Sequence, residues 1–273
     1  MTGSKLIFDV GANDGVDTAY YLGEGYSVVA IEADPSLCNG LRTRFAEEIA
    51  GDRLTVINAA IMEEDRDEVA LYVSRDNTES SLIRSMAERS GSMTGQIMVK
   101  GRGLCSLFDE YGLPWYCKID IEGYDAQAVR GMSGCGGRPA YISCEGTGQP
   151  IGEIIRDEGL LYKALDALAA QGYRSFKVVD QESLQVLTDA GHYDRLHSWP
   201  VRIRTKLERW MGRLSRQRWP EAGFVSGPFG EGLAGEWAGY EVIRGRMAMH
   251  FSHYYQYTKN KQYIFWVDIH GKY

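Results

Sequence analysis

No stretch of about 18 apolar residues occurs in this chain, so no membrane span is expected. Met1 to Lys5 run straight into an apolar segment. That leaves no room for a signal peptide, and the expected compartment is the cytoplasm. Cysteines are few: Cys38, Cys105, Cys117, Cys135 and Cys144 are scattered, odd in number and lack C-x-x-C spacing. This pattern argues against a disulfide frame or a zinc site and for reduced, mostly buried thiols. Excess positive charge is also missing. Against 30 Lys and Arg stand 37 Asp and Glu, a net charge of -7, which argues against a general nucleic-acid partner. No Walker lysine is present, and the glycine turn after the first apolar run is G-x-N-x-G rather than G-x-G-x-x-G, which argues against a pyrophosphate grip there.

What is present is enough for a full core: 44% of the 273 residues are hydrophobic. One large domain, or a domain with an elaborate appendage, is expected. The stretch Phe8-Asp9-Val10-Gly11-Ala12-Asn13-Asp14-Gly15 reads as a buried strand, a glycine-hinged turn and a helix start. Asp14 or Asp17 is the expected helix cap. Backbone N–H groups there suit a carboxylate. The next strand, Ser27 to Ile31, ends in Glu32, placed to accept hydrogen bonds from both ribose hydroxyls. A ligand with a ribose and an amino-acid tail, such as S-adenosylmethionine (SAM), fits this pair of features.

Strand and helix patterns then alternate. Pro35 starts a helix with Leu37, Leu41 and Phe45 on one face, and Gly51-Asp52 stops it. Leu54 to Ile57 reads as strand three, followed by Asn58, Ala59 and Ala60, small enough for close approach of an adenine. Glu63 to Glu68 reads as a charged hairpin tip before a strand over Val69 to Val73. Residues 74 to 103 lack a clear period and read as a mobile loop or short helix over the ligand, or as an ordinary surface loop, with a short strand at Gln96 to Val99. Leu104 to Tyr111 reads as a helix.

A second constellation is Tyr116-Cys117-Lys118-Ile119-Asp120-Ile121-Glu122-Gly123. A strand from Cys117 to Ile121 would put Asp120 and Glu122 on one side. A helix follows from Ala126 to Met132, then a strand from Ala140 to Cys144 ending in Glu145. Ligands of open parallel sheets bind at the carboxyl ends of the strands, where Glu32, Asp120, Glu122 and Glu145 would gather. A helix over Glu153 to Gln171 and a strand over Ser175 to Val179 complete the pattern.

The segments FDVGANDG, VVAIEADP, KIDIEGYD and YISCEG resemble the FkbM family of SAM-dependent methyltransferases, over roughly residues 5 to 180. The resemblance implies a class I methyltransferase fold: α/β, Rossmann-like, with a mainly parallel seven-stranded sheet. It implies methylation of hydroxyl oxygens on natural products and sugars. By it, Gly11, Asn13 and Gly15 hold the methionyl part of SAM with Asp9 behind them, and Glu32 holds the ribose. Asp120 and Glu122 line the reaction centre, and Glu79 to Leu82, with Ser81, looks like the family's serine-containing loop. Cys105 departs from the polar residue more usual at that helix start.

An alcohol nucleophile must lose a proton as it attacks. Asp120, Glu122 and Glu145 are the rim candidates to take it, and His250 and His253 the C-terminal ones. The three acids are also the candidate set for a divalent metal, Mg²⁺ or Ca²⁺. The organisation expected is a SAM-binding core at 1–185, a cap shaping the acceptor site at 186–262, and a final strand at 263–273 returning antiparallel into the sheet edge. Within the cap, residues 195–218 carry eight Arg or Lys against Glu208 alone, with Ile203, Leu207, Trp210, Met211 and Leu214 on one face. Such a basic amphipathic helix suits peripheral contact with a membrane, an anionic substrate or an acidic partner, or simply a solvated face. Aromatics crowd Met247 to Trp266, as core packing or as a wall for a ring-bearing acceptor. A small-molecule or glycan acceptor is the expected partner. The rival readings are carboxylate or nitrogen methylation of a peptide or small molecule, and a non-catalytic nucleoside-binding protein recruited through the basic helix.

Overall fold

The computed structural model describes residues 5–75, 80–88, 91–148, 158–181, 184–188, 226–258 and 265–273. Strand β1 (Leu6–Val10) leads through the glycine turn to α1 (Val16–Gly23) and β2 (Ser27–Glu32). Helices α2 (Pro35–Arg44) and α3 (Ala46–Ala50) follow, then β3 (Leu54–Asn58). Asp34 caps α2 by accepting the Ser36 N–H at 2.7 Å, with Pro35 at the first helical position. The cap of α1 differs from expectation. It is Gly15 at φ 82, with no side-chain cap, because Asp17 is drawn away into a buried ion pair.

Three strands between Ala60 and Gly103 build a second sheet. Strands β4 (Ala60–Met62), β5 (Arg66–Ser74) and β6 (Met93–Gly103) are ordered β4-β6-β5. The turn is therefore confined to Glu63–Asp65. The weakly periodic stretch becomes an eleven-residue strand plus a short helix, α4 (Arg84–Ala87). Helix α5 (Leu104–Tyr111), strand β7 (Tyr116–Ile119), helix α6 (Asp125–Arg130), strand β8 (Tyr141–Gly148), helix α7 (Glu158–Ala170) and strand β9 (Ser175–Asp180) continue the alternation. After them come β10 (Gln185–Val186), α8 (Tyr240–Thr258) and β11 (Phe265–Lys272).

Among the described residues the main sheet has eight strands rather than seven, in the order β10-β9-β11-β8-β7-β1-β2-β3. Strands β3, β2, β1, β7 and β8 are parallel. The last strand does not lie at the edge. β11 inserts antiparallel between β8 and β9, pairing Asp268 with Glu145 on one side and with Val179 on the other.

One face of the sheet packs on α5, α6, α7 and α8 through Phe8, Leu107, Val129, Leu165 and Met247, all nearly inaccessible to water. The other is covered by α1 and α2 and by the segment that starts at Ser226. There Phe229 stacks on Tyr116 with centroids 4.5 Å apart and meets Tyr21 edge-on at 5.2 Å. From this segment and α8, Phe229, Leu233, Ile243, Met247 and Phe251 are buried in the core. The basic segment 195–218 lies outside the described residues.

Two cysteines correct the sequence expectation. Cys105, opening α5, and Cys135, past the end of α6, form a disulfide. Their separation of 30 residues hides the pairing from a spacing argument. Cys38, Cys117 and Cys144 are free and buried, as expected.

Candidate active site

The β1–α1 turn is shaped by three left-handed residues: Gly11 at φ 81, Asn13 at φ 48 and Gly15 at φ 82. At Gly11 a Cβ would stand 1.9 Å from the carbonyl oxygen of Asp120, so the turn and the loop after β7 meet backbone to backbone. The N–H groups of Gly11 and Ala12 are spent on the Ile31 carbonyl, at 2.9 and 3.1 Å. The donors left at this end are the first N–H groups of α1 itself.

Glu32 ends β2 with its side chain 9% exposed. One carboxylate oxygen accepts the Asn13 N–H and the other the Asp34 N–H, each at 2.8 Å. Each oxygen keeps a lone pair for a hydroxyl. Burial pushes its pKa up, against the pull of those N–H groups. Asn58 lies at the tip of β3, but its amide donates to the carbonyls of Glu32 and Ala33, at 3.0 and 2.8 Å. It thereby fixes the loop that carries the carboxylate. Ala59 beside it is buried.

The acids converge at the next strand ends. One carboxylate oxygen from each of Asp120, Glu122 and Glu145 lies within 4.8 Å of the others. The route to this cluster differs from strand alternation. β7 stops at Ile119, and Asp120 to Tyr124 form a loop in which Glu122 takes φ 50 and Gly123 φ 92. A left-handed glutamate is costly and needs support. Ser81 supplies it, donating its hydroxyl to the Glu122 carbonyl at 2.8 Å, while Met86 on α4 packs at Gly123. Ser81 therefore orders the acid loop. Glu145 sits inside β8, which runs on to Gly148.

A buried cation holds this rim together. Lys118 is 5% exposed, with its ammonium 2.7 Å from Asp17 and 3.3 Å from Asp120. Burial alone would lower its pKa, but Asp120, Asp17 and Asp9 outweigh burial and raise it well above the ordinary value. Asp17 also accepts the N–H and hydroxyl of Ser226, at 2.8 and 2.6 Å. Asp9, behind the turn, accepts the Thr18 hydroxyl at 2.6 Å.

More acids crowd in than Lys118 can neutralise. Burial, then the Asp120 charge, raises Asp125 to about 7. Burial, followed by Asp120 and Glu122, raises Glu145 well above the usual carboxylate range. Asp268, brought in by β11, is raised by burial and then by Asp120. The site is thus poised to take up protons or a cation.

His250 is fully buried in α8 and is not among the converging acids. The side chain of His253 lies outside the described residues. Sequence reasoning missed Asp17, Lys118, Asp125, Ser226 and Asp268. One signal was readable: a lysine in the middle of an apolar strand must be paired when buried.

A mainly parallel sheet with β11 inserted antiparallel between β8 and β9, a glycine turn after β1, an acid ending β2 and acids after β7 make up the class I SAM-dependent methyltransferase fold. The model of the FkbM methyltransferase domain matches residues 9–175, more than half of the chain. This chain belongs to the FkbM methyltransferase family. A probable ribosomal RNA small subunit methyltransferase A of Haloarcula marismortui is 34% identical over 68 residues, covering 25% of this chain and 24% of that protein. The chain thus matches about a quarter of that curated relative's length. Among solved structures, a SAM-dependent methyltransferase of Geobacter sulfurreducens bound to S-adenosyl-L-homocysteine is 14% identical. That match covers 99% of this chain and 85% of the other, with TM-score 0.38. Phosphoethanolamine N-methyltransferase 2 of Haemonchus contortus, bound to SAM, is 11% identical, covering 100% and 49%, with TM-score 0.41. No described helix is long and apolar enough to cross a membrane.

Proposed function

We propose that this methyltransferase moves the methyl group of SAM to a hydroxyl oxygen of a sugar or secondary metabolite. The observation that carries the reading is the convergence of Asp120, Glu122 and Glu145 beside the turn of Gly11. SAM supplies a methyl carbon made electrophilic by a sulfonium, with a neutral leaving group. Glu32 offers its spare lone pairs to the ribose hydroxyls, and the start of α1 takes the amino-acid carboxylate. Lys118 and Asp17 keep Asp120 in place at the rim. Glu145, whose proton affinity is raised by burial and its neighbours, takes the hydroxyl proton as the oxygen attacks. Positioning the hydroxyl against the methyl group is the larger part of the rate enhancement.

The test is incubation with methyl-labelled SAM and a library of glycans and hydroxylated small molecules, followed by mass spectrometry of the products. Label on ether oxygens supports the proposal. Label on carboxylates or nitrogens overturns it. The same carboxylates have the spacing for one Mg²⁺, which would lower the hydroxyl pKa directly. Turnover abolished by EDTA and restored by Mg²⁺ would transfer the proton-handling role from Glu145 to the metal.

A further inference from the structure

One antiparallel contact extends the site beyond the acids. The Gln181 N–H donates to the Trp266 carbonyl at 3.1 Å, so the β9–β11 ladder runs one residue past the end of β9. Residues facing each other across a ladder share a face, and alternate residues return to it. Gln181 and Trp266 therefore share the face of Val179, Asp268 and Glu145. They lie one side-chain step, about 7 Å, nearer the rim. That step is the width of a six-membered ring.

Both side chains carry unspent binding capacity. The Gln181 side chain is 2% exposed, yet its amide nitrogen has no hydrogen-bond partner among the described residues. A buried amide donor left in this state is costly and calls for an acceptor atom. Trp266 is 39% exposed on a strand whose neighbours Val267 to His270 are buried. An open indole face beside an amide and carboxylates is the chemistry that stacks a ring and reads its hydroxyls. Asp268 lies below them on the same face, paired across the ladder with Glu145. The cation at this rim, Lys118, is already engaged by Asp17 and Asp120, so a ligand's own negative charge would lack a counter-ion there.

We propose that Gln181 and Trp266, with Asp268 beneath them, form the acceptor subsite, which takes a neutral or cationic hydroxylated ring and excludes rings bearing a carboxylate or phosphate. The proposal rests on the methyltransferase reading above and adds the place and charge of the acceptor. The experiment uses the full chain loaded with S-adenosylhomocysteine and saturation-transfer NMR with three probes: methyl glucoside, glucosamine and glucuronic acid. Transfer is expected to the first two and not to glucuronic acid. Trp266→Ala and Gln181→Ala should each weaken the ring signal by about three- to tenfold, with calorimetric affinity for S-adenosylhomocysteine unchanged. Normal cofactor affinity with no ring binding, equal binding of glucuronic acid, or unaltered ring binding in both variants would overturn the subsite alone. Failure to bind S-adenosylhomocysteine would overturn the cofactor reading and the subsite with it.

Discussion

Glu32 is the residue on which cofactor affinity should turn. Two backbone N–H groups hold its carboxylate, so it is oriented before any ligand arrives. Glu32→Ala should weaken SAM by about 1.5–3 kcal/mol, the range for hydrogen bonds to a charged group. Isothermal calorimetry measures this, and wild-type affinity in the variant would remove Glu32 from the site. Asp120 should behave differently. Its role is tied to the reaction centre through Lys118, so Asp120→Asn should slow turnover by more than it weakens SAM. Single-turnover rates set beside binding constants separate the two. These residues were legible because each stands at the end of an apolar run. Asp17, Ser226 and Asp268 were not. Their partners lie far away in the chain, as with Asp17 and Ser226, 209 positions apart. No local period reports such pairs.

Among the elements, the segment between Cys105 and Cys135 carries most of the acid rim: β7, the loop from Asp120 and α6. The disulfide closes a loop of 30 residues. Chain entropy assigns such a closure about 3–4 kcal/mol of stabilisation. Cys105→Ser, or reduction with a phosphine, should therefore lower the urea midpoint. It should do so before cofactor affinity changes, because Glu32 and the glycine turn lie outside the loop. An unchanged midpoint would mean that the bond contributes nothing in solution. The parallel half of the sheet was readable from its apolar runs and acid ends. The position of β11 was not, since an antiparallel return fits an edge or a gap equally well by pattern. It fills the gap between β8 and β9, and that placement brings Asp268 against Glu145.

For the molecule as a whole, the buried carboxylates set an unusual dependence of stability on pH. Asp9 is raised to about 6 by burial, with Lys118 pulling the other way, and Asp125 is raised to about 7. Between their ordinary value of 3.8 and these folded values, the folded chain holds protons that the unfolded chain has released. Stability contributed by these groups is therefore full below about pH 4 and falls as pH rises towards 7. Asp17 and Glu231 oppose this only at the acid end. Asp17 is lowered by Lys118 and Ser226 although burial works the other way, and Glu231 is lowered to about 2 by its bonds to Lys272 and Tyr141. Their contribution is present above their ordinary values and is lost as pH falls further. Urea unfolding of the free protein should therefore show stability falling between pH 5 and 7, by on the order of 1–3 kcal/mol. Asp125→Asn, which cannot ionise, should flatten that slope. SAM binding should change in the opposite direction. A cationic ligand favours the ionised acids, so binding releases protons and tightens as pH rises through the same window. Calorimetry in buffers of different ionisation enthalpy counts those protons. Proton uptake on binding, or stability that climbs from pH 5 to 7, would mean that Asp9 and Asp125 are already ionised in the free protein.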